Sequence, residues 1–204
     1  MPNIKPTTLD AYKLLQEGCI ALAQVESNGL KVDTLYLKKA IKSTSKKIVR
    51  LTKELKEDEV FRVWKKRYGV EANLDSGDQL GKVLFGDMGY ECPNHTPSGR
   101  PKTDEATLEK LDISFVKKLL EIKKLKKAKN TYLIGIQREV CNGFLHPVFN
   151  LHLVKTYRSS SDSPNFHNMP IRNPEIGKLI RRCFIPREGG HIVECDYGGI
   201  EVKI

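Results

Sequence analysis

Tryptophan occurs once, at Trp64, and methionine three times. The five cysteines (Cys19, Cys92, Cys141, Cys183, Cys195) contain no Cys-x-x-Cys pair. A zinc ribbon and a redox dithiol are therefore not encoded, and an odd cysteine count suits a reducing compartment. No apolar run approaches the ~20 residues that a membrane span needs. Mean hydropathy is −0.42, and no apolar leader follows Met1, so neither a membrane protein nor a secreted one is expected. Histidine is sparse and scattered: His146 and His152 could be metal ligands by residue type, but no cysteine or acid stands at ligand spacing from them.

Acid is scarce where base is dense. The 204 residues carry a net charge of +10. Residues 38–67 hold 12 basic and 4 acidic side chains, and residues 117–129 hold 7 lysines and one glutamate. The excess is focused, as on a surface that meets a polyanion, although two solvated helix faces would show the same composition.

Apolar spacing places the helices. Tyr12, Leu15, Cys19 and Leu22 predict a helix over 10–27, stopped at Asn28-Gly29. Asp33 or Thr34 caps a second helix, with Leu37, Ile41, Thr44, Ile48, Leu51 and Leu55 on one face and lysines on the other. A short basic helix over 59–67 contains Trp64. Ser76 caps another, with Leu80, Val83, Leu84 and Met88 inward and Gly89 ending it. Pro93, Pro97, Gly99 and Pro101 make 91–103 a loop. Thr103 opens a short helix to Leu111, and Ser114 a long one with Phe115, Leu119, Ile122, Leu125, Tyr132 and Ile136 inward. From Phe144 the chain reads as strand, broken at Pro147. Residues 159–165 read as turn, 175–183 as a short helix, and Ile192–Cys195 as a strand delivering Asp196. A boundary is expected near residue 142, between a helical unit and a β-rich one.

An acid at a strand end followed by a turn is a common Mg2+ ligand, because the carboxylate and a nearby carbonyl are hard oxygens. Asp196 with Tyr197-Gly198-Gly199 has that form, and a plain turn-forming aspartate has it too.

Longer motifs carry more. Thr156–Arg172 (TYRSSSDSPNFHNMPIR) resembles the Thr-Gly-Arg-Leu-Ser-Ser…Pro-Asn-Leu-Gln-Asn-Ile-Pro signature of family A (DNA polymerase I type) DNA polymerases. Arg181–Pro186 (RRCFIP) follows as it does there. Asp196–Lys203 (DYGGIEVK) is similar to that family's motif A, usually Asp-Tyr-Ser-Gln-Ile-Glu-Leu-Arg. Upstream, Asn73–Leu80 (NLDSGDQL) with Val83-Leu84-Phe85 resembles the start of the thumb. Lys102-Thr103, Leu108–Leu111, Leu125–Tyr132 and Glu26–Asp33 fit as well. Tyr157, Ser159, His167, Gly198 and Gly199 depart from the usual residues, and none of them is the motif A aspartate.

The resemblance implies an α+β fold, predominantly α: a thumb of long antiparallel helices, then the first antiparallel strands of a palm. It divides the chain into 1–72 (N-terminal helical part and thumb base), 73–142 (thumb) and 143–204 (start of the palm). By the same resemblance Asp196 is catalytic and binds metal, the Tyr197 carbonyl is a further metal ligand, and Tyr197 and Glu201 bind the incoming nucleotide, with Glu201 by its sugar helping to exclude a 2′-hydroxyl. Arg158, Asn165, His167 and Asn168 line primer–template DNA, and Ser76 and Lys127 touch its backbone from the thumb. The implied cofactor is Mg2+ in a two-metal site to which this chain gives one carboxylate.

The implied partners are primer–template DNA, deoxynucleoside triphosphates, and a fingers-and-palm polypeptide or C-terminal region that supplies the second carboxylate. No membrane is implied; the setting is the cytoplasm of a bacterial or phage-infected cell. Two function classes follow: part of a DNA-directed DNA polymerase, inactive alone, or a non-catalytic DNA-binding module derived from a thumb.

Overall fold

A computed structural model describes residues 7–155, 158–170 and 173–195. Helices dominate and the strands are short and antiparallel, so the fold is α+β, mainly α. Packing divides the chain into two compact units, Ile41–Thr131 and a second one of Met1–Ala40 with Tyr132–Ile204. The division therefore does not follow chain order. The helix Thr34–Lys56 and the wide turn Ala128–Leu133 each run across it.

Ile41–Thr131 is all-helical. It contains most of α2 (Thr34–Lys56), α3 (Glu59–Tyr68), α4 (Gly77–Gly81), α5 (Glu105–Leu108) and α6 (Ser114–Lys127). The expected apolar positions form its core: Leu51, Leu55, Trp64, Leu80, Val83, Leu84, Phe115, Leu119, Ile122 and Leu125 are all buried. Trp64 is fully buried and its indole N–H donates to Gln79 Oε1 at 2.9 Å. Gln79 in turn accepts from the Asn73 amide (2.9 Å) and donates to the Glu71 carbonyl (3.0 Å). One amide side chain thus satisfies the only indole and pins the loop before α4.

Ser76 caps α4 as expected, and α4 continues into a π turn, Lys82–Asp87. The loop at 91–103 closes as a small hairpin, with Thr96 N to Arg100 O at 2.8 Å and Lys102 N to Asn94 O at 3.0 Å. Thr103 then packs onto Gly77 and Gly81: a Cβ at Gly77 would lie 2.6 Å from the Thr103 hydroxyl. Thr103 does not open α5. Asp104 does, accepting from the Thr107 amide at 2.8 Å, because a carboxylate is the stronger acceptor at that position. Likewise α6 starts after Ile113 with no side-chain cap.

In the other unit, α1 (Thr8–Asn28) carries a Thr7–Asp10 capping box and ends at Gly29 with φ +61. A side chain at Gly29 would also strike the His146 ring at 2.6 Å, so the position excludes any larger residue twice over. β1 (Leu30–Lys31) pairs with β2 (Phe144–Leu145). Val32 bridges to Phe184, and Ile185 N donates to Lys31 O at 3.0 Å. Residues 30–33 are therefore the middle member of three extended segments. Asp33 caps α2 through the Tyr36 amide at 2.8 Å. β3 (Val148–Asn150) pairs with β4 (Ser160–Asp162), and α8 (Pro174–Arg181) is capped by Asn173.

Three expectations are corrected in this unit. Ser160–Asp162 is a strand rather than turn, because its backbone pairs with β3 whatever its polar side chains favour. Residues 192–195 form no strand: Ile192 and Val193 are 61% and 78% exposed, and no described residue offers them a ladder partner. After α6, a π turn (Ala128–Leu133) precedes α7 (Ile134–Glu139). Its extra residue shifts the helical phase, so Leu133 is fully buried where the periodicity favoured Tyr132.

Replacing Gln79 with Ala should cost about 1–3 kcal/mol, because the buried indole N–H loses its acceptor. In Trp64→Phe, which has no N–H, the same change should cost less. Chemical denaturation of the two single variants and the double variant measures this; equal losses in both backgrounds would show that the bond contributes nothing.

Candidate functional site

The segment from Arg158 to Asn168 is built from its own hydrogen bonds. β4 places Ser161 inward, 3% exposed, and its hydroxyl accepts from the Phe166 amide at 2.8 Å and the His167 amide at 3.4 Å. Asn165 caps the one-turn helix Phe166–Asn168 by accepting from the Asn168 amide at 3.1 Å. The Tyr132 hydroxyl donates to the Asn168 carbonyl at 3.0 Å. The His167 ring stands edge-on to Phe149, 5.8 Å between centroids, with Nε2 at 3.5 Å from the Ser159 hydroxyl. Asn165, His167 and Asn168 lie exposed on this turn, and Arg158, which precedes β4, is exposed as well. The structure brings Asn165, His167 and Asn168 together on one short turn, and Ser159, next to Arg158 in the chain, reaches His167.

Composition alone suggests that this segment waits for a ligand to order it, with only Phe166 and Met169 as anchors. The structure instead supplies the β3 ladder, the buried Ser161 and an Asn150–Asp162 side-chain bond at 2.9 Å. Ser161 and Tyr132 are organising residues that sequence reasoning missed. A serine five residues before the amide it receives was visible as a turn former, but Tyr132 is 36 residues away and nothing local marks it.

Ser76 and Lys127 both belong to the helical unit. Lys126, beside Lys127 at the end of α6, pairs with Asp75, beside Ser76, at 2.8 and 3.0 Å. Ser76 is half-buried and its oxygen accepts from the Gln79 amide at 3.3 Å; Lys127 is exposed.

The lysine-rich α6 is less free than its composition suggests. Lys117 pairs with Asp112, Lys118 with Glu54 (3.5 Å), Lys124 with Glu105 (2.7 Å) and Glu109 (3.0 Å), and Lys126 with Asp75. Hydrogen bonds to Glu105 and then Glu109 hold Lys124 above its ordinary pKa, and the same contact draws Glu105 down. Lys123, Lys127 and Lys129 have no carboxylate in ion-pair range among the described residues.

Near the extended segments, burial foremost and then Asp33 push the Cys183 thiol up to about 12. It therefore stays protonated and is no nucleophile.

Asp196, Tyr197 and Glu201 lie outside the described residues. Among those described, no three His, Cys, Asp or Glu side chains converge as a metal site, and no helix is long and apolar enough to cross a membrane.

The model of DNA polymerase family A matches residues 37–204. Over 188 residues, 90% of this chain, it is 37% identical to the thermostable DNA polymerase I of Thermus aquaticus and 31% identical to DNA polymerase I of Pseudomonas aeruginosa. It spans about a fifth of the length of those relatives (21% and 20%). Among solved structures, the POL domain of Pol1 from M. smegmatis, in complex with DNA primer-template and dNTP, superposes with TM-score 0.66 at 30% identity. That match covers 82% of this chain and 28% of the other.

The free chain should protect the amides of Phe166 and His167 strongly in hydrogen exchange, and Ser161→Ala should abolish that protection while leaving α6 unchanged. Fast exchange of both amides in the unaltered chain would show that the turn is not self-supported.

Proposed function

The chain belongs to DNA polymerase family A, and we propose that its 204 residues are the part of a DNA-directed DNA polymerase that grips primer–template and supplies one catalytic aspartate. The carrying observation is the family match over 37–204, and the exposure of Arg158, Asn165, His167 and Asn168 supports the reading.

In this reading residues 1–72 are the N-terminal helical part and thumb base, 73–142 are the thumb, and the palm begins at 143. The Arg158 guanidinium pairs with phosphate or a base edge. Asn165, His167 and Asn168 offer short donors to minor-groove acceptors, which are alike in all sequences. Lys127 and Ser76, both in the helical unit, hold the backbone without reading bases. His167 stands where the family's signature has Gln; its ring reaches less far and donates from one nitrogen when neutral.

The Asp196 carboxylate and the Tyr197 carbonyl are hard oxygen donors suited to Mg2+, which would lower the charge barrier to nucleotidyl transfer. Glu201 stands beside the incoming nucleotide's sugar and leaves no room for a 2′-hydroxyl. Two-metal transfer needs a second carboxylate, which this reading assigns to a fingers-and-palm segment bearing the family's later motifs. Deoxynucleoside triphosphates bind the assembled enzyme, in the cytoplasm of a bacterial or phage-infected cell.

These residues expressed alone should bind primer–template and add no nucleotide with Mg2+ or Mn2+. Supplying the family's fingers and remaining palm should restore extension. In that complex Asp196→Asn should lower extension at least about a hundredfold with DNA affinity nearly unchanged, because the loss falls on transition-state charge. Template-dependent extension by the 204 residues alone, or full activity of the Asp196→Asn complex, would overturn the proposal.

Lys127→Glu with Lys129→Glu should lower the salt dependence of duplex binding by about 0.9 for each phosphate no longer neutralised, similarly for unrelated sequences. An unchanged slope would make these lysines merely solvated.

A further inference from the structure

The strongest charged surface outside that site is the outer face of α2. Its inner face is fixed by burial of Thr44, Leu51 and Leu55. At 100° per residue, Lys42, Lys46, Val49, Arg50, Lys53 and Lys56 fall on the opposite side, within an arc of about 120°. All six are exposed. Only Arg50 has a carboxylate in range among the described residues, Glu54 at a loose 3.7 Å. The flank that carries Lys47 and Glu54 is different: there Lys47 pairs with Glu121 at 2.7 Å and Glu54 with Lys118. Lys47, beside α6, is neutralised by a neighbour, and of the cations facing away from the core only Arg50 has a carboxylate in range among the described residues.

We propose that this face of α2 is a second nucleic-acid surface, one that rests on the phosphate backbone of duplex DNA without reading its sequence. It stands beside the polymerase reading and does not rest on it. Four lysines and one arginine spread over about 21 Å of helix, the axial rise of about six base pairs. Lysine is a compact, hydrated point charge that meets phosphates singly and needs no fixed orientation.

The composition of the face decides among polyanions. A single strand wants aromatic platforms for its bases, and this face has none. A protein partner wants aromatic or arginine anchors in a desolvated patch, and the two apolar residues on this side of α2, Leu35 and Val49, are 70% and 69% exposed and about four turns apart. A membrane surface wants the helix's apolar side, which is already in the core. Duplex phosphates ask only for the charges present.

The test is binding of a short blunt duplex by the full chain, followed by fluorescence anisotropy across salt. The triple variant Lys42→Gln, Lys46→Gln, Lys53→Gln should lower the salt slope by about 2.7, at about 0.9 per phosphate, and weaken low-salt binding at least tenfold. Lys42→Arg, Lys46→Arg, Lys53→Arg should keep the slope. The triple-Gln loss should add to that of Lys127→Glu with Lys129→Glu, because the two surfaces are separate.

If the Lys127 and Lys129 variant is silent while the triple-Gln variant loses slope, this inference stands and the assigned thumb grip fails. An unchanged duplex slope in the triple-Gln variant overturns the inference. So does equal loss in the Arg and Gln variants, which would report folding rather than charge. Loss confined to polyglutamate or to phosphatidylserine vesicles would overturn it in favour of an acidic protein or a membrane.

Discussion

The burial of one stripe along α2 constrains much of what this chain can present. Leu37, Thr44, Leu51 and Leu55 all turn inward, and each leucine withdrawn from water contributes about 1.5–3 kcal/mol. Because the helical period is fixed, burying those residues also fixes the side from which Lys42, Lys46 and Lys53 project. Surface ion pairs are worth about 0–1 kcal/mol each, so they cannot have set this orientation. The core sets it, and the charges follow.

Carboxylates then decide which of those charges remain available. In α6 the sequence shows lysine after lysine with a single glutamate, yet Asp75, Glu105, Glu109, Asp112 and Glu54 arrive from elsewhere in the fold to meet them. α2 itself carries one acid, Glu54, on the α6 flank, and Glu121 of α6 meets Lys47 there. The density of base along the sequence, higher in α6, therefore misranks the two helices. What matters is the number of acids that tertiary contact brings within reach, and a window cannot count those.

The same divide separates what could be read in the sequence from what could not. Helices whose apolar spacing and caps agree, such as the one begun at Asp33 and that begun at Ser76, were legible to within a residue or two, because cap and stripe are both local. Asp104 displaced Thr103 as a cap by one position, since both residues can accept an amide. The β3–β4 pair was not legible. Ser160–Asp162 carries the side chains of a turn, and only a partner ten residues away makes it a strand. Of the site, the four exposed residues at 158–168 were named from their motif. Ser161 and Tyr132, which hold them, were hidden because one looks like any serine in a run and the other acts across 36 residues.

The π turn at Ala128–Leu133 bears on how this chain is compared with its relatives. A wide turn stores one surplus residue inside a helix instead of in a loop. Relatives that lack the surplus residue would continue in plain α-helix with the same residues buried on either side. An alignment gap between them then belongs in the middle of a helix, where gaps are ordinarily penalised most. Placed in the neighbouring loop instead, such a gap would put every residue from Ala128 to Glu139 one position out of step, and Leu133 would be equated with a neighbour that faces water.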